Sequence, residues 1–589
     1  MSDNDLKKKE VLLLMSFPSL FKRTSALIIA CILLSAGGFV SCASASEIVP
    51  APLNPLFVEW QKKIEGTRTS GNGSTGSLGS DKFQGYAPSP VNWSHLENEV
   101  YSVVKTTNRL ATNPVSYDLR PEMPAVRDQD PFGTCWTFSA MAAAESNLIH
   151  EKAILTKDSA DLSEWYLAYY GYNDESNELP AFTYPSSLEY YNAGGDDWRS
   201  AAILTRGTGF LEESSAAYPT SAAAAYAPDV QARKYKLKNV LYLGNLGAKE
   251  VRLKDSRAET IKEAIRTYGA VSIGIDQGSD SLFLNPTTNG YFISSLEKTP
   301  NHAVTVVGWD DNYDRLNFNA SYRPEYNGAW IVRNSWGSGW GDSGHYYVSY
   351  EEGSLFDGVV YDTVAAPEKE KIYQYDPLGL CNFIDYESAD PVYFANIFTA
   401  SRNEKIGSVS FYTSYPESSC TVKIYKDCAG DPVGGTLVAV KNIEIVAPGY
   451  NTVDLDSAIE IPKYSKFSVV VSIALPAPTM SSGYISQSSA SRGSVMMYPQ
   501  IPVEYPISGY SEKATSSAGQ SFISSDGLEW KDLTEEADYA EGNVCIKAFG
   551  ISDDTDSDGG GGGGCSTGPV MLIFLGLGVL PLIYKGRKQ

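Results

Sequence analysis

The chain has 589 residues, of which 43% are apolar and 20% are charged, and its formal net charge is −23 at pH 7. This length allows two or three domains of about 100–200 residues, and the composition is that of globular cores. Because an acidic surface repels phosphate backbones, the charge excludes nucleic acid as an expected partner.

Residues 1–45 have the three parts of a secretory signal peptide. A lysine- and arginine-containing stretch at residues 7–23 precedes the apolar run 26–40, and the small-residue motif Ala43-Ser44-Ala45 follows. This order is typical of exported proteins. Met15 is an alternative start of the chain. The alternatives to a signal peptide are an uncleaved membrane anchor and a lipidation box at Phe39-Val40-Ser41-Cys42, to which Phe39 is a weak match. The sequence therefore predicts export.

Residues 46–112 show little hydrophobic periodicity. They are rich in Gly, Ser and Thr between Thr67 and Ser80, and they contain the patch Gly85-Tyr86-Ala87-Pro88-Ser89-Pro90. Such composition predicts an extended N-terminal segment.

Residues 113–364 mix helical and strand patterns. The alanine-rich stretch from Cys135 to Glu151 has the apolar spacing of a buried helix. Strands are predicted at Val271–Ile275, Ala303–Val307, Ala329–Val332 and Tyr346–Val348.

Cys135 is the candidate nucleophile of this region. A thiol attacks as its thiolate, and both a helix N-terminus and a neighbouring imidazolium favour that charge. Cys135 opens the predicted helix, so the first of these two conditions is met by its position in the sequence.

Of the four histidines, His302 fits best as the partner of Cys135. His95 lies in the N-terminal segment, and His150 ends the same helix, about 22 Å from its start at 1.5 Å per residue. His345 directly precedes another strand. His302 begins an apolar strand, which would hold its backbone while the side chain faces a cleft.

A third group must orient the imidazole of such a pair. Asn334, at the end of the strand that contains Trp330, can accept a hydrogen bond from the ring, and Trp336 can shield that bond from water.

Together these residues resemble the active-site blocks of papain-like cysteine peptidases. The blocks are Gln129 with Cys135-Trp136, Asn301-His302-Ala303-Val304, and Asn334-Ser335-Trp336-Gly337-Ser338-Gly339-Trp340-Gly341. Leu162-Ser163-Glu164 and Asn192-Ala193-Gly194-Gly195 are similar to two further segments of the family. The blocks occur in the family's order, and the resemblance covers roughly residues 113–364.

The resemblance implies a role for each residue. Gln129 would stabilise the oxyanion beside the backbone N–H of Cys135, His302 would pair with the thiolate and protonate the leaving amine, and Asn334 would fix the imidazole. Gly194, Gly195 and Trp336 are the expected substrate-binding residues, with Gly195 offering backbone hydrogen bonds to an extended peptide. No metal and no cofactor is expected.

The chain also departs from the family pattern. Phe132 and Thr134 replace the Cys and the Ser or Ala that usually precede the nucleophile, and Tyr191 replaces the partner cysteine, so one disulfide is absent as a pair. Packing by Phe132 is expected to take its place. An insertion at 310–327 resembles half of a calcium loop, but a solvated turn is favoured. No long helical inhibitory prosegment is predicted in residues 46–112.

Residues 375–551 carry short alternating runs separated by turn residues, such as Val409–Tyr412, Thr421–Tyr425 and Phe467–Val471, which predicts a β-sandwich. The stretches Tyr375-Asp376-Pro377-Leu378-Gly379, Ala395-Asn396-Ile397-Phe398-Thr399-Ala400 and Ser524-Ser525-Asp526-Gly527 resemble the lectin-like domain that follows such peptidases in some bacterial surface proteins. Its four cysteines allow three pairings. A Cys420–Cys428 bridge is disfavoured because an extended strand would hold the two apart.

The chain ends in an acidic and glycine-rich linker at residues 552–567 and an apolar stretch with a basic end at residues 568–589. This tail resembles bacterial C-terminal sorting signals, and a simple transmembrane anchor is the alternative.

The sequence therefore predicts an α+β fold: a papain-like two-lobe peptidase, with a helical and a β-barrel lobe, then an all-β sandwich and a C-terminal transmembrane helix. The expected function is an exported, surface-anchored cysteine endopeptidase that acts on proteins or peptides. The alternatives are a surface adhesin or glycan-binding protein on a peptidase-like scaffold, and a transpeptidase or self-processing enzyme. Expected further partners are a carbohydrate or surface ligand for the sandwich and the membrane for the tail.

Overall fold

The computed structural model describes residues 48–69, 85–96, 99–104, 112–173, 179–186, 188–229, 233–245, 256–278, 280–293, 299–386, 390–475 and 498–552. The predicted signal peptide and the predicted C-terminal tail lie outside these ranges. Within them, no helix is long and apolar enough to cross a membrane.

Helices are concentrated in the first half of the described chain. They are α1 (Pro55–Thr69), α2 (Cys135–His150), α3 (Glu164–Tyr172), α4 (Asp197–Thr205), α5 (Ser256–Tyr268) and the short α6 (Asp280–Phe283).

Strands β1 to β9 belong to the first half of the chain or lead into it. They are β1 (Ile48–Pro50), β2 (Ser116–Asp118), β3 (Tyr235–Gly244), β4 (Val271–Ile275), β5 (Gly290–Tyr291), β6 (His302–Asp310), β7 (Ala329–Arg333), β8 (His345–Ser349) and β9 (Leu355–Ala365).

The second half is built from strands and short turns. Its strands are β10 (Glu370–Tyr373), β11 (Asn382–Tyr386), β12 (Val392–Thr399), β13 (Glu404–Thr413), β14 (Ser418–Lys426), β15 (Thr436–Ile445), β16 (Gly449–Ile461), β17 (Lys466–Ala474), β18 (Gln500–Glu504), β19 (Ser521–Ser524), β20 (Lys531–Asp532), β21 (Asn543–Val544) and β22 (Ile546–Ile551).

Helix α2 forms the centre of the first domain. Every residue from Cys135 to Leu148 is buried, and the alanines on α2 let it lie close to β6 and β9. The predicted helix is confirmed, although it ends at His150 rather than Glu151. The four predicted strands of this domain are confirmed as β4, β6, β7 and β8, and β6 begins at His302 as expected.

One hydrogen-bonded sheet connects the two domains. The strands follow the order β3-β9-β4-β6-β7-β8-β5, and β3 pairs at its other edge with β16 of the second domain. Gly449 permits this contact, because a Cβ there would lie only 2.1 Å from the backbone oxygen of Val240. Among the described residues, hydrogen bonds therefore carry one sheet from the first domain into the second.

The predicted sandwich is observed in the second domain. A six-stranded sheet, ordered β15-β14-β17-β12-β19-β20, lies against β13, β16 and β22 and the small sheet β1-β11-β18-β21. Buried residues such as Phe394, Val422 and Ile546 fill the space between the layers. The five cysteines in the described chain are free thiols, so none of the three possible pairings is present there.

The N-terminal segment corrects the sequence interpretation. It was expected to be extended, but α1 spans Pro55–Thr69 and buries Phe57, Trp60 and Ile64 against the core shared by both domains. Each such burial contributes about 2 kcal/mol of hydrophobic free energy. Strand β1 adds to the edge of β11 in the second domain.

Candidate active site

Cys135 lies at the first position of α2, and its sulfur is completely buried. The backbone N–H of Ala303, next to His302 on β6, donates a hydrogen bond to the sulfur at 3.3 Å. Burial raises the pKa of the thiol to about 12, although the Ala303 hydrogen bond acts to lower it. Burial of Cys135 therefore favours the thiol over the thiolate.

His302 and Asn334 form the pair that the sequence predicted. The imidazole Nε2 lies 2.8 Å from Asn334 Oδ1, which also accepts the backbone N–H of Ser335 at 2.8 Å. Because that oxygen can only accept, Nε2 carries the proton, and Nδ1 is the unprotonated nitrogen. Burial lowers the pKa of His302 to about 4, so the ring is neutral near pH 7.

Trp336 covers this pair. Its ring stacks on the His302 imidazole with centroids 5.2 Å apart and an interplanar angle of 29°, and Trp340 packs edge-on against Trp336 at 5.0 Å. The His302–Asn334 hydrogen bond is thereby kept from water, as the sequence predicted for Trp336.

The sulfur and the imidazole lie on adjoining elements without a hydrogen bond between them. Nδ1 of His302 is buried and has no hydrogen-bond partner among the residues that the structure describes. A thiolate–imidazolium pair needs that contact. The structure thus brings Cys135, His302 and Asn334 together in a neutral, unengaged arrangement.

Gln129 lies beside the same residues, and its side-chain amide makes two hydrogen bonds. Its Nε2 donates to Phe132 O at 3.0 Å, and its Oε1 accepts the hydroxyl of Ser335 at 2.6 Å. These bonds join the loop before Cys135 to the loop after Asn334.

Phe132 fills the place of the missing disulfide, as expected. Its ring centroid lies 4.7 Å from that of Tyr191 and 5.4 Å from that of Trp165. Aromatic packing therefore holds the loop before Cys135 against helix α3 and Tyr191.

Arg127 anchors the loop that carries Gln129. The sequence did not predict this role. Its guanidinium contacts Glu145 on α2 at 2.8 Å and Glu164 on α3 at 2.6 Å, and both carboxylates are buried. Burial raises the pKa of Glu164 to about 8, while Arg127 acts to lower it. Glu164 belonged to a recognised block, but its partner 37 residues away carried no sequence signal.

Another described stretch of the N-terminal segment, residues 85–96, lies beside these residues. Gly195 N–H donates to Gly85 O at 3.0 Å, Ala87 N–H donates to Gly195 O at 2.9 Å, and Tyr86 N–H donates to Asn301 O at 3.2 Å. Residues 85–87 thus occupy the backbone hydrogen bonds that Gly195 was expected to offer a substrate.

Two glycines allow close packing here, Gly85 against the loop before Cys135 and Gly195 against Trp136. A Cβ on Gly195 would lie 2.4 Å from the Trp136 ring, and a Cβ on Gly85 would lie 2.2 Å from Gly133 O, directly before the nucleophile loop. Gly85 also has φ of +109°, which other residues rarely adopt. Gly194 contributes its carbonyl to a hydrogen bond from the Tyr172 hydroxyl rather than to the cleft.

The calcium-like insertion uses its acidic oxygens for its own turns. Asp310 Oδ1 accepts the backbone N–H of Asn312, and Asp314 Oδ1 accepts that of Leu316, both at 2.9 Å. Among the described residues, no group of three or more His, Cys, Asp or Glu side chains is arranged to hold a metal ion.

Two family descriptions match the chain. "Papain family cysteine protease" matches residues 113–357, and "Lectin like domain" matches residues 372–550. The chain is 29% identical over 253 residues to a cysteine protease of Blomia tropicalis, which covers 42% of this chain and 65% of that protein. It is 28% identical over 264 residues to pro-cathepsin H of Mus musculus, covering 44% and 66%. The chain therefore spans just under two thirds of the length of these two relatives.

Solved structures match both domains in the same order. The cysteine protease and lectin-like domains of Cwp84, a surface layer associated protein of Clostridium difficile, give a TM-score of 0.65 at 23% identity, covering 86% of this chain and 98% of that one. A structure of Cwp84 after propeptide cleavage gives 0.60 at 25% identity, covering 74% and 99%. At 23% identity, the first of these matches is evidence of a shared fold.

Proposed function

The chain carries a papain-family cysteine peptidase domain followed by a lectin-like domain, and from this premise we propose that it is an exported cysteine endopeptidase made in a latent form. One observation carries the proposal. The sulfur at the start of a buried helix lies against the strand that presents a histidine already oriented by an asparagine.

The proposed reaction uses four residues. His302 Nδ1 takes the proton of the Cys135 thiol, and the thiolate attacks the peptide carbonyl to form a C–S bond. Gln129 and the Cys135 N–H stabilise the oxyanion, and the imidazolium gives its proton to the leaving amine as the C–N bond breaks. Water, deprotonated by His302, then hydrolyses the acyl-enzyme, while Asn334 keeps the ring aligned.

Latency is proposed because the cleft is filled. Residues 85–87 take the hydrogen bonds of Gly195, and the burial around Cys135 and His302 keeps both groups neutral. Removal of this stretch would admit water, which favours the charged thiolate–imidazolium pair. A propeptide is also cleaved from Cwp84, the structural relative.

Export and surface attachment are proposed from the two ends of the sequence. The signal-like residues 1–45 and the glycine-rich, apolar and basic tail at 552–589 fit a protein held at the cell envelope. The surface-layer association of Cwp84 agrees with this location. Protein or peptide in that compartment is the proposed substrate.

The proposal is tested with an epoxide that alkylates active thiols, applied to the full chain before and after limited proteolysis. We expect labelling of Cys135 after proteolysis only, and none in Cys135→Ala. Cys420→Ala is the matched control, because it removes a buried thiol of the other domain. Equal labelling of the Cys135→Ala protein would refute the assignment.

A glycan-binding adhesin is less well supported, because such a protein needs no oriented His302–Asn334 pair. The lectin-like domain nevertheless offers a second binding surface, and we propose that it holds the enzyme near a surface ligand. A glycan array with the Cys135→Ala protein tests this role separately from proteolysis.

A further inference from the structure

The side chain of Tyr86 fills a pocket of the cleft. Tyr86 is 2% exposed and its backbone pairs with Gly195. The ring lies over Gly274 on β4, where a Cβ would be only 3.0 Å from Tyr86 Cζ and 3.3 Å from its hydroxyl oxygen. The absence of a side chain at Gly274 therefore makes the pocket deep enough for a phenol.

A carboxylate closes the pocket. The Tyr86 hydroxyl donates to Asp357 Oδ2 at 3.2 Å, and the hydroxyl of Tyr242 on β3 donates to Asp357 Oδ1 at 3.1 Å. The Asp357 backbone N–H donates to Asn245 Oδ1 at 3.0 Å. One carboxylate oxygen is thus held by the protein, and the other faces the occupant of the pocket.

The backbone at Asp357 is unusual. It has φ of +54°, in the left-handed region that non-glycine residues rarely adopt. Burial also raises the pKa of the Asp357 carboxyl group to about 6. Strained and desolvated groups of this kind are concentrated at functional sites.

We propose that Asp357 is a specificity-determining residue, and that the enzyme selects substrates with tyrosine at the position that pairs with Gly195. The inference rests on the proposed peptidase function and names its substrate class. Tyr86 then occupies the pocket as an internal copy of the preferred side chain.

The chemistry of the pocket favours tyrosine over its closest rivals. Phenylalanine fills the same space but leaves the inner carboxylate oxygen without a donor, which is costly in a buried site. Arginine binds carboxylates best through both oxygens, and Tyr242 already holds one of them. A small aliphatic side chain leaves the space above Gly274 empty.

The test is a peptide library varied at each of the three residues before the cleaved bond. It is digested with the full chain after limited proteolysis, and the active thiols are counted by epoxide labelling. We expect one position at which tyrosine is cleaved about 10–100-fold faster than phenylalanine. Preference for phenylalanine, leucine or arginine at every position would overturn the inference and leave the peptidase assignment standing.

Variants connect the preference to the carboxylate. Asp357→Gly accepts the positive φ and removes the acceptor, so the tyrosine-to-phenylalanine ratio should fall to about one; Asp357→Asn keeps one acceptor and should give an intermediate ratio. Asp454→Asn, an exposed acid of the second domain, is the matched control. An unchanged ratio in Asp357→Gly would overturn the proposal.

A binding measurement separates failure of catalysis from failure of selectivity. Blocked tyrosine and phenylalanine peptides from the library are titrated into Cys135→Ala after the same proteolysis. Tighter binding of the tyrosine peptide supports the pocket even where no peptide is cleaved, which would refute only the proposed function. Equal binding of the two peptides would overturn the inference.

Discussion

At the scale of single residues, burial favours the uncharged forms of the proposed nucleophile, Cys135, and of its proposed partner, His302. Cys135 and His302 are both fully buried, and the shifts of their pKa values, up to about 12 and down to about 4, both favour the uncharged form. A filled cleft therefore controls reactivity through solvation as well as through steric exclusion.

The first prediction concerns alkylation of Cys135 by iodoacetamide. Because the thiol pKa is raised, the full chain should react slowly at pH 7, and its rate should still be rising above pH 10. After limited proteolysis opens the cleft, the reaction should be fast at pH 6–7, since an imidazolium then stabilises the thiolate. Mass spectrometry of the Cys135 peptide measures both rates, and identical pH profiles would contradict the prediction.

The second prediction concerns the orientation of the imidazole. Asn334→Ala removes the acceptor of His302 Nε2–H, so kcat of the opened enzyme should fall about 10²-fold with a smaller change in KM. Asn312→Ala, at an exposed asparagine of the same domain, is the control. A loss confined to KM would argue against an orienting role.

The residues of the candidate site differ in how far the sequence reveals them. Cys135, His302 and Asn334 stand in recognisable blocks at element ends, and the structure places them together. Tyr86 and Asp357 were missed, because their contact joins residues 271 apart in the sequence and no local pattern encodes it.

At the scale of elements, the loop that carries Gln129 is held by charges on two helices. Arg127 binds Glu145 of α2 and Glu164 of α3, and its other nitrogen reaches the more exposed Asp161 at 2.8 Å. The arginine thus fixes the distance between the two helices as well as the position of the loop.

The third prediction is that Arg127→Met lowers the free energy of unfolding by about 3–5 kcal/mol, because it leaves two buried carboxylates unpaired. The raised pKa of Glu164, about 8, favours its protonated form in the folded protein. The loss should therefore be smallest near pH 5 and grow as the pH rises to 8.

Urea unfolding at the two pH values measures this loss. The control is Lys238→Met, which breaks an exposed pair with Asp454 and should cost about 0.5 kcal/mol or less. A pH-independent loss would mean that the carboxylates are not the cause.

Among the elements, helix α2 was predicted within one residue, but α1 was missed. Phe57, Trp60 and Ile64 have helical spacing, so a signal was present. The glycine- and serine-rich stretch that follows obscured it. The pairing of β3 with β16 was not predicted, because it depends on a distant strand of the other domain.

At the scale of the whole molecule, the N-terminal segment is part of the core between the domains. The indole of Trp93 stacks on Trp198 at 5.0 Å and on Tyr242 at 4.6 Å, and it meets Phe383 of the second domain edge-on at 5.4 Å. The order of the two domains was predicted, but this shared core was not.

The fourth prediction follows from that stack. Trp93→Ala should lower the free energy of unfolding by about 3–5 kcal/mol and speed epoxide labelling of Cys135 in the unproteolysed chain, because the same stretch fills the cleft. Trp530→Ala, in the second domain alone, is the control and should leave the labelling rate unchanged. Destabilisation without faster labelling would mean that the Trp93 stack does not keep Cys135 unreactive.

Strand β1 of the N-terminal segment affects how fast the proposed enzyme becomes active after it is cut. Ile48–Pro50 is hydrogen-bonded to Asp385 and its neighbours on β11, and Phe57 is completely buried nearby. After a cut beyond residue 96, β1 and α1 still bind the rest of the protein. They keep residues 85–87 close to the cleft, at an effective concentration that favours rebinding over escape. Activation should therefore lag behind scission, and its rate should be that of peptide dissociation.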